Sequence, residues 1–240
     1  MGMGATVRHR LGRFEIPAAE AYRAATLNLD DLAATIASLG PATRILEIGC
    51  GEGAMADRLT RVFPAAQFLG IDPIAEPGRL FRGDRSRATF RRMLSSELLT
   101  QCPDPFDLVV IVDVLHHIPD EHRRGLLSDA AALTTPGGLV AVLDWERGRT
   151  LSDAFCYLAC RWVANDPNTR FMTGEEFRDL VRTGLPEFEL AVATRVPPRR
   201  NNLLIGMRSP VQQHEATPRN GRSHAVAGTA HQRAVSSDLP

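Results

Sequence analysis

Three groups of residues are placed in this sequence to do chemistry. The first is Ile45-Leu46-Glu47-Ile48-Gly49-Cys50-Gly51-Glu52-Gly53, an apolar run with one acid that breaks into three alternating glycines. Glycines at such a strand-to-helix turn permit positive φ and let a ligand approach the backbone closely. P-loops, dinucleotide folds and ordinary tight turns share that feature, so a second group is needed to give it meaning. Gly70-Ile71-Asp72-Pro73 supplies it: Asp72 closes a second apolar run 21 positions beyond Gly51. That is about the ~20-residue offset at which an acid at a strand tip accepts hydrogen bonds from ribose hydroxyls. The third group is Asp113, His116 and His117, which end the long apolar run Phe106–Val112. An imidazole with an ordinary pKa near ~6.5 suits a general base working on a hydroxyl. His116, the first of the pair, faces the cleft by this reading. Together these groups imply a domain that binds a nucleoside.

No metal is expected. Cys156 and Cys160 stand four apart, but no second His or Cys pair completes a ligand set. With Cys50 and Cys102 they read as reduced thiols of a cytoplasmic protein, since no pair has CxxC spacing and no apolar leader precedes them.

These segments, with Leu133-Thr134-Thr135-Pro136-Gly137-Gly138, follow one another in the order and spacing of the class I S-adenosylmethionine-dependent methyltransferases. The chain resembles the members that modify small molecules in quinone and natural-product biosynthesis. The match covers about residues 40 to 145 and does not identify an acceptor. The resemblance implies S-adenosyl-L-methionine as cofactor, with contacts from Glu47, Gly49, Cys50, Gly51, Asp72, Pro73 and Asp113. Relatives carry a Gly-Asp pair some eleven residues before the Phe-Asp-Leu strand, for the adenine. Here Ser95 falls at that position, while Gly83-Asp84 comes eleven residues early, so the adenine contact falls to Ser95 and Ser96 or to Asp84. For the acceptor, positions at strand ends point to His116 as base and to Trp145 as a wall of the pocket or a ring facing the sulfonium, and the resemblance adds Arg161 and Trp162 in a helical insertion. The activity implied is transfer to a small molecule, an oxygen by preference. A non-catalytic cofactor-binding protein on the same fold and an NAD-dependent oxidoreductase are the alternatives. The third glycine comes one place too early for the dinucleotide pattern.

Composition agrees. Among 240 residues, 44% are hydrophobic and 23% charged, which describes a globular chain with a full core. The 28 basic residues, all arginine, balance 28 acids. A net charge of zero argues against a nucleic-acid surface. No apolar window approaches the ~18 residues of a membrane span.

The elements that must position these residues alternate, which predicts an α/β fold with a mostly parallel sheet, helices on both faces and an antiparallel last strand. Residues 1–43 are expected to form a helical cap, residues 44–208 the cofactor-binding domain with a helical insertion at about 148–170, and residues 209–240 a disordered tail. Strands are predicted over Ile45–Ile48, Gln67–Ile71, Ala88–Leu94, Phe106–Val112 and Leu139–Asp144. A closing pair follows over Glu187–Thr194 and Leu203–Met207. Helices are predicted from Pro17 to Leu39, over Ala54–Val62, near Glu121–Leu133, over 151–164, and over Glu175–Thr183 after an N-cap at Thr173.

Overall fold

A computed structural model describes residues 27–147, 169–197 and 201–211. Residues 148–168 of the expected helical insertion, the expected tail beyond Val211 and the cap residues before Leu27 lie outside the described residues.

Seven strands form one sheet: β1 (Arg44–Ile48), β2 (Gln67–Asp72), β3 (Ala88–Arg92), β4 (Phe106–Val112), β5 (Thr134–Trp145), β6 (Glu189–Val196) and β7 (Asn202–Arg208). Their spatial order is β3-β2-β1-β4-β5-β7-β6. The first five are parallel, and β7 runs antiparallel to both β5 and β6. The chain moves outward from β1 to β3 and then crosses back to lay β4 on the other side of β1. That reversal opens a crevice at the carboxyl ends of β1 and β4, where open α/β sheets bind ligands.

Strand composition explains the layering. Val109, Val110 and Ile111 of β4 and Val140 to Leu143 of β5 are buried whichever face they point to, as central parallel strands require. Helices α1 (Leu29–Ala37) and α2 (Ala54–Val62) cover one face through Leu32, Ile36, Met55 and Leu59. Helices α3 (Ser95–Thr100), α4 (Asp120–Ala132) and α5 (Gly174–Gly184) cover the other through Leu98, Leu127 and Phe177. Local signals start the outer helices. The Asn28 side chain accepts from the backbone of Asp30 and Asp31 at the start of α1. Thr173 and Glu176 form a reciprocal capping box on α5.

Two departures from the sequence reading matter for the site. The predicted third strand stops at Arg92, and Ser95–Thr100 turns into a short helix, started by Glu97 accepting from the Leu94 backbone N–H. The predicted fifth strand starts earlier, at Thr134 instead of Leu139, and takes in Pro136-Gly137-Gly138, with Gly137 at φ +75° and a register shift against β4. Among the described residues no helix is long and apolar enough to cross a membrane.

Candidate active site

The glycine turn is built from its hydrogen bonds. The backbone N–H groups of Gly49 and Cys50 both donate to the Ile71 carbonyl, tying the end of β1 to the end of β2. Gly49 has φ +77°, and a Cβ there would lie 2.3 Å from Val114, so only glycine fits. Gly51, at φ +50°, has nothing within 4 Å of where a Cβ would be. Its N–H donates to Asp72 Oδ2 at 2.8 Å, and Asp72 Oδ1 accepts from the Ile74 N–H at 3.0 Å. Asp72 therefore fixes the turn and keeps a lone pair on each oxygen for a ligand. Pro73, beside it, is held through its carbonyl by Arg92 Nε at 3.1 Å. The chain returns over the turn where Gly78 donates to the Gly51 carbonyl and Leu80 to that of Glu52.

Glu47 lies inside β1, 2% exposed, and its Oε2 has no hydrogen-bond partner. Burial, reinforced by the negative charge of Asp72, pushes its carboxyl pKa well above the usual carboxylate value. Cys50 is buried above Gly70. Burial, with Glu47 and Asp72 nearby, raises its thiol pKa and keeps the thiol protonated.

Past β4, Asp113 adopts φ +56°, and its N–H donates to the Leu143 carbonyl of β5. The chain then makes a single 3-10 turn, Leu115–His117, that carries both histidines. His116 is buried. Its backbone N–H donates to Asp144 Oδ2 at 2.9 Å, and its Nδ1 lies 2.6 Å from Asp144 Oδ1. Asp144, at the end of β5 and 1% exposed, also accepts from the Trp145 N–H at 2.7 Å. A carboxylate facing Nδ1 selects the tautomer protonated there and leaves Nε2 as the basic nitrogen. Around this pair the Phe171 ring stands 5.0 Å from that of His116 and 6.4 Å from that of Trp145, and the His117 ring 3.9 Å from that of His116.

The structure thus brings Glu47, Gly49, Cys50, Gly51, Asp72 and Pro73 to one end of the sheet, and Asp113, His116 and Trp145 to the neighbouring strand ends. Ser95 is engaged elsewhere: its hydroxyl donates to Asp129 Oδ2 at 2.6 Å, joining α3 to α4. Ser96 begins the same short helix. The alternative adenine acid is corrected. Asp84 sits before the amino end of β3, caps a turn through Ser86 and Arg87, and lies at the opposite end of the parallel sheet from Asp72. Arg161 and Trp162 fall outside the described residues.

Sequence reasoning missed Asp144 and Phe171. Asp144 carries the same signal as Glu47, an acid at the end of an otherwise apolar strand, whereas Phe171 gives none. Asp113, His116 and Asp144 also place one ligand-capable atom each within 4.8 Å of one another, a grouping not expected from the sequence. The three N–H and ring contacts already made by Asp144 fit an orienting carboxylate better than a metal ligand.

The chain is 34% identical over 108 residues to a ubiquinone biosynthesis O-methyltransferase of Aeromonas salmonicida, covering 43% of this chain and 44% of that one. Among solved structures it resembles an O-methyltransferase family protein from Burkholderia thailandensis, with TM-score 0.64 at 14% identity, covering 86% of this chain and 59% of that one. It also resembles a 1,6-didemethyltoxoflavin-N1-methyltransferase of Burkholderia thailandensis, with TM-score 0.58 at 18% identity, covering 86% and 88%. The chain spans about half the length of the curated relatives it matches. A methyltransferase-domain family model matches residues 18–183, more than half of the chain, and the protein belongs to that family, with the class I fold.

Proposed function

We propose that the protein is an S-adenosylmethionine-dependent methyltransferase that methylates a hydroxyl of a small aromatic or otherwise apolar acceptor, with His116 as the general base. The observation that carries this reading is the buried His116–Asp144 pair at the strand ends adjoining the glycine turn.

The residues present suit the cofactor. Gly51 leaves open space beside a backbone that Asp72 holds in place. Glu47 offers a buried oxygen without a partner, the complement of an ammonium group. The free lone pairs of Asp72 suit two ribose hydroxyls. Ser96 takes the adenine, because the Ser95 hydroxyl is committed to Asp129. When bound, the cofactor supplies a methyl group already activated by its sulfonium leaving group. The protein's remaining work is alignment, exclusion of water and removal of one proton. Nε2 of His116 takes the acceptor proton while Asp144 holds the Nδ1 proton and stabilises the charge that forms. Phe171 and Trp145 wall the acceptor's apolar body. The relative that acts in ubiquinone biosynthesis supports an oxygen as the attacking atom.

The test is calorimetry with S-adenosylhomocysteine, followed by labelled-methyl turnover on a panel of phenols, with and without EDTA. His116→Gln should keep the homocysteine product's affinity within about twofold and lower turnover by ~10²–10⁴, the contribution of a general base. Undiminished turnover in the variant removes His116 from the chemistry. Turnover abolished by EDTA and restored by Mg²⁺ reassigns Asp113, His116 and Asp144 to a cation.

A further inference from the structure

Residues 169–172 run directly across the 3-10 turn that carries His116. The Arg170 N–H donates to the His116 carbonyl at 2.9 Å, Met172 makes a bridge with Glu146, and the Arg147 N–H donates to the Met172 carbonyl at 2.7 Å. Phe171, between these anchors, presents its ring to His116. Two short irregular pieces from distant parts of the chain therefore have to meet in one register for the base and its apolar wall to face the same space.

One side chain spans both pieces. Arg123 projects from the first turn of α4 and is 3% exposed, rare for an arginine unless every donor is used. Its Nε donates to the Ile118 carbonyl at 2.9 Å, directly after the histidine turn, and its Nη2 donates to the Arg170 carbonyl at 3.2 Å. Its Nη1 lies 2.8 Å from Asp120 Oδ1, and Asp120 also pairs with the Arg170 guanidinium. Burial pushes the Arg123 pKa down, and the charges of Asp144 and Glu176 act the other way, so the guanidinium lies within electrostatic reach of the carboxylate that orients His116. We propose that Arg123 is a positioning residue that locks the His116 turn to the Phe171 segment and so holds the imidazole against Asp144. The fork geometry of guanidinium makes this possible, because it donates in two fixed directions to two carbonyls at once.

The inference rests on His116 being the base only for its effect on turnover. Its own measurement needs no acceptor. In protein labelled with ¹⁵N at its histidines, His116 is assigned by its loss in His116→Gln, and long-range proton–nitrogen correlation reads its tautomer. The wild type should show a single ring state with Nδ1 protonated. Arg123→Met should lose that signature and show a tautomer-averaged ring, with S-adenosylhomocysteine affinity within about twofold of wild type. Arg123→Lys, which can reach one carbonyl but not both, should recover part of the signature. An unchanged His116 ring in folded Arg123→Met overturns the proposal. Where Arg123→Met does not fold, Arg123→Lys alone is compared with the wild type, since it keeps one carbonyl contact and gives up the other. A smaller shift of the same kind then supports the proposal, and no shift overturns it. Failure of the wild type to bind S-adenosylhomocysteine would instead end the proposed function and leave the positioning role intact.

Discussion

Glu47 and Asp144 are both acids at the tips of apolar strands, yet the structure gives them opposite environments. Asp144 accepts from two backbone N–H groups and faces an imidazole, so its charge is answered within the protein. Glu47 keeps an oxygen without a partner and sits beside another negative charge. Burial first, and Asp72 second, raise its pKa, so the folded protein holds a proton that the unfolded chain gives up near ~4.3. While the folded state binds that extra proton, stability falls as pH rises from the unfolded value through the raised folded one. Glu47→Gln has no proton to lose. Its melting temperature should therefore stay level across that interval while the wild type's falls. A bound ammonium group favours the ionised carboxylate, so S-adenosylhomocysteine should release a proton from the wild type. Calorimetric enthalpies in buffers of different ionisation enthalpy would reveal that release, and Glu47→Gln should lack it. The variant should also bind more weakly by roughly 1.5–3 kcal/mol, the range for hydrogen bonds to charged groups. Equal buffer dependence in both proteins would detach Glu47 from the ligand.

The turn between β1 and α2 separates two uses of glycine that look identical in sequence. Gly53, at φ +93°, would bring a Cβ within 3.1 Å of Gly78 Cα and Phe81 Cβ, while Gly51 faces open space. Gly51→Ala should cost about 1–2 kcal/mol from the left-handed backbone alone and lower S-adenosylhomocysteine affinity by a larger factor. Gly53→Ala should cost more stability, because the segment that folds over the turn must shift as well. Thermal melts and calorimetry on the pair would check the order, and a reversed order would refute the division. The same contrast explains what the sequence could disclose. Strand β1, the glycine turn, Asp72, β4 and β5 were legible because an apolar run interrupted by a polar tip leaves a local signature. Helix α5 was legible through its Thr173 cap. Helix α3 was not, because six residues carry too little periodicity and its start depends on Glu97 reaching back to Leu94. Ser95 was placed beside the adenine by counting back from Phe106, and no such count could show that its hydroxyl donates to Asp129, 34 positions away. Phe171 and Arg123 were illegible for the same reason: each acts through a partner at a distance that no spacing rule encodes.

At the scale of the whole molecule, the candidate site belongs to no single element. β1 and β2 bring Glu47 and Asp72, the turn after β4 brings His116, β5 brings Asp144 and Trp145, and the segment before α5 brings Phe171. These are joined by the sheet, whose order changes direction between β1 and β4. A ligand at that crevice contacts strands on both sides of the switch point, so its binding free energy should register as stability of the whole domain. At about 100 times its dissociation constant a ligand adds ~2.7 kcal/mol to the folded state. For a domain of this size each kcal/mol raises the melting temperature by ~2–4 °C, so S-adenosylhomocysteine should raise it by roughly 5–11 °C. NADH at the same concentration should raise it by less than ~1 °C, because the glycine spacing departs from the dinucleotide pattern. His116→Gln should preserve the full S-adenosylhomocysteine shift, since His116 is assigned to the acceptor side. Glu47→Gln and Gly51→Ala should reduce it. A shift from NADH as large as that from S-adenosylhomocysteine would overturn the cofactor assignment, whatever turnover assays later found.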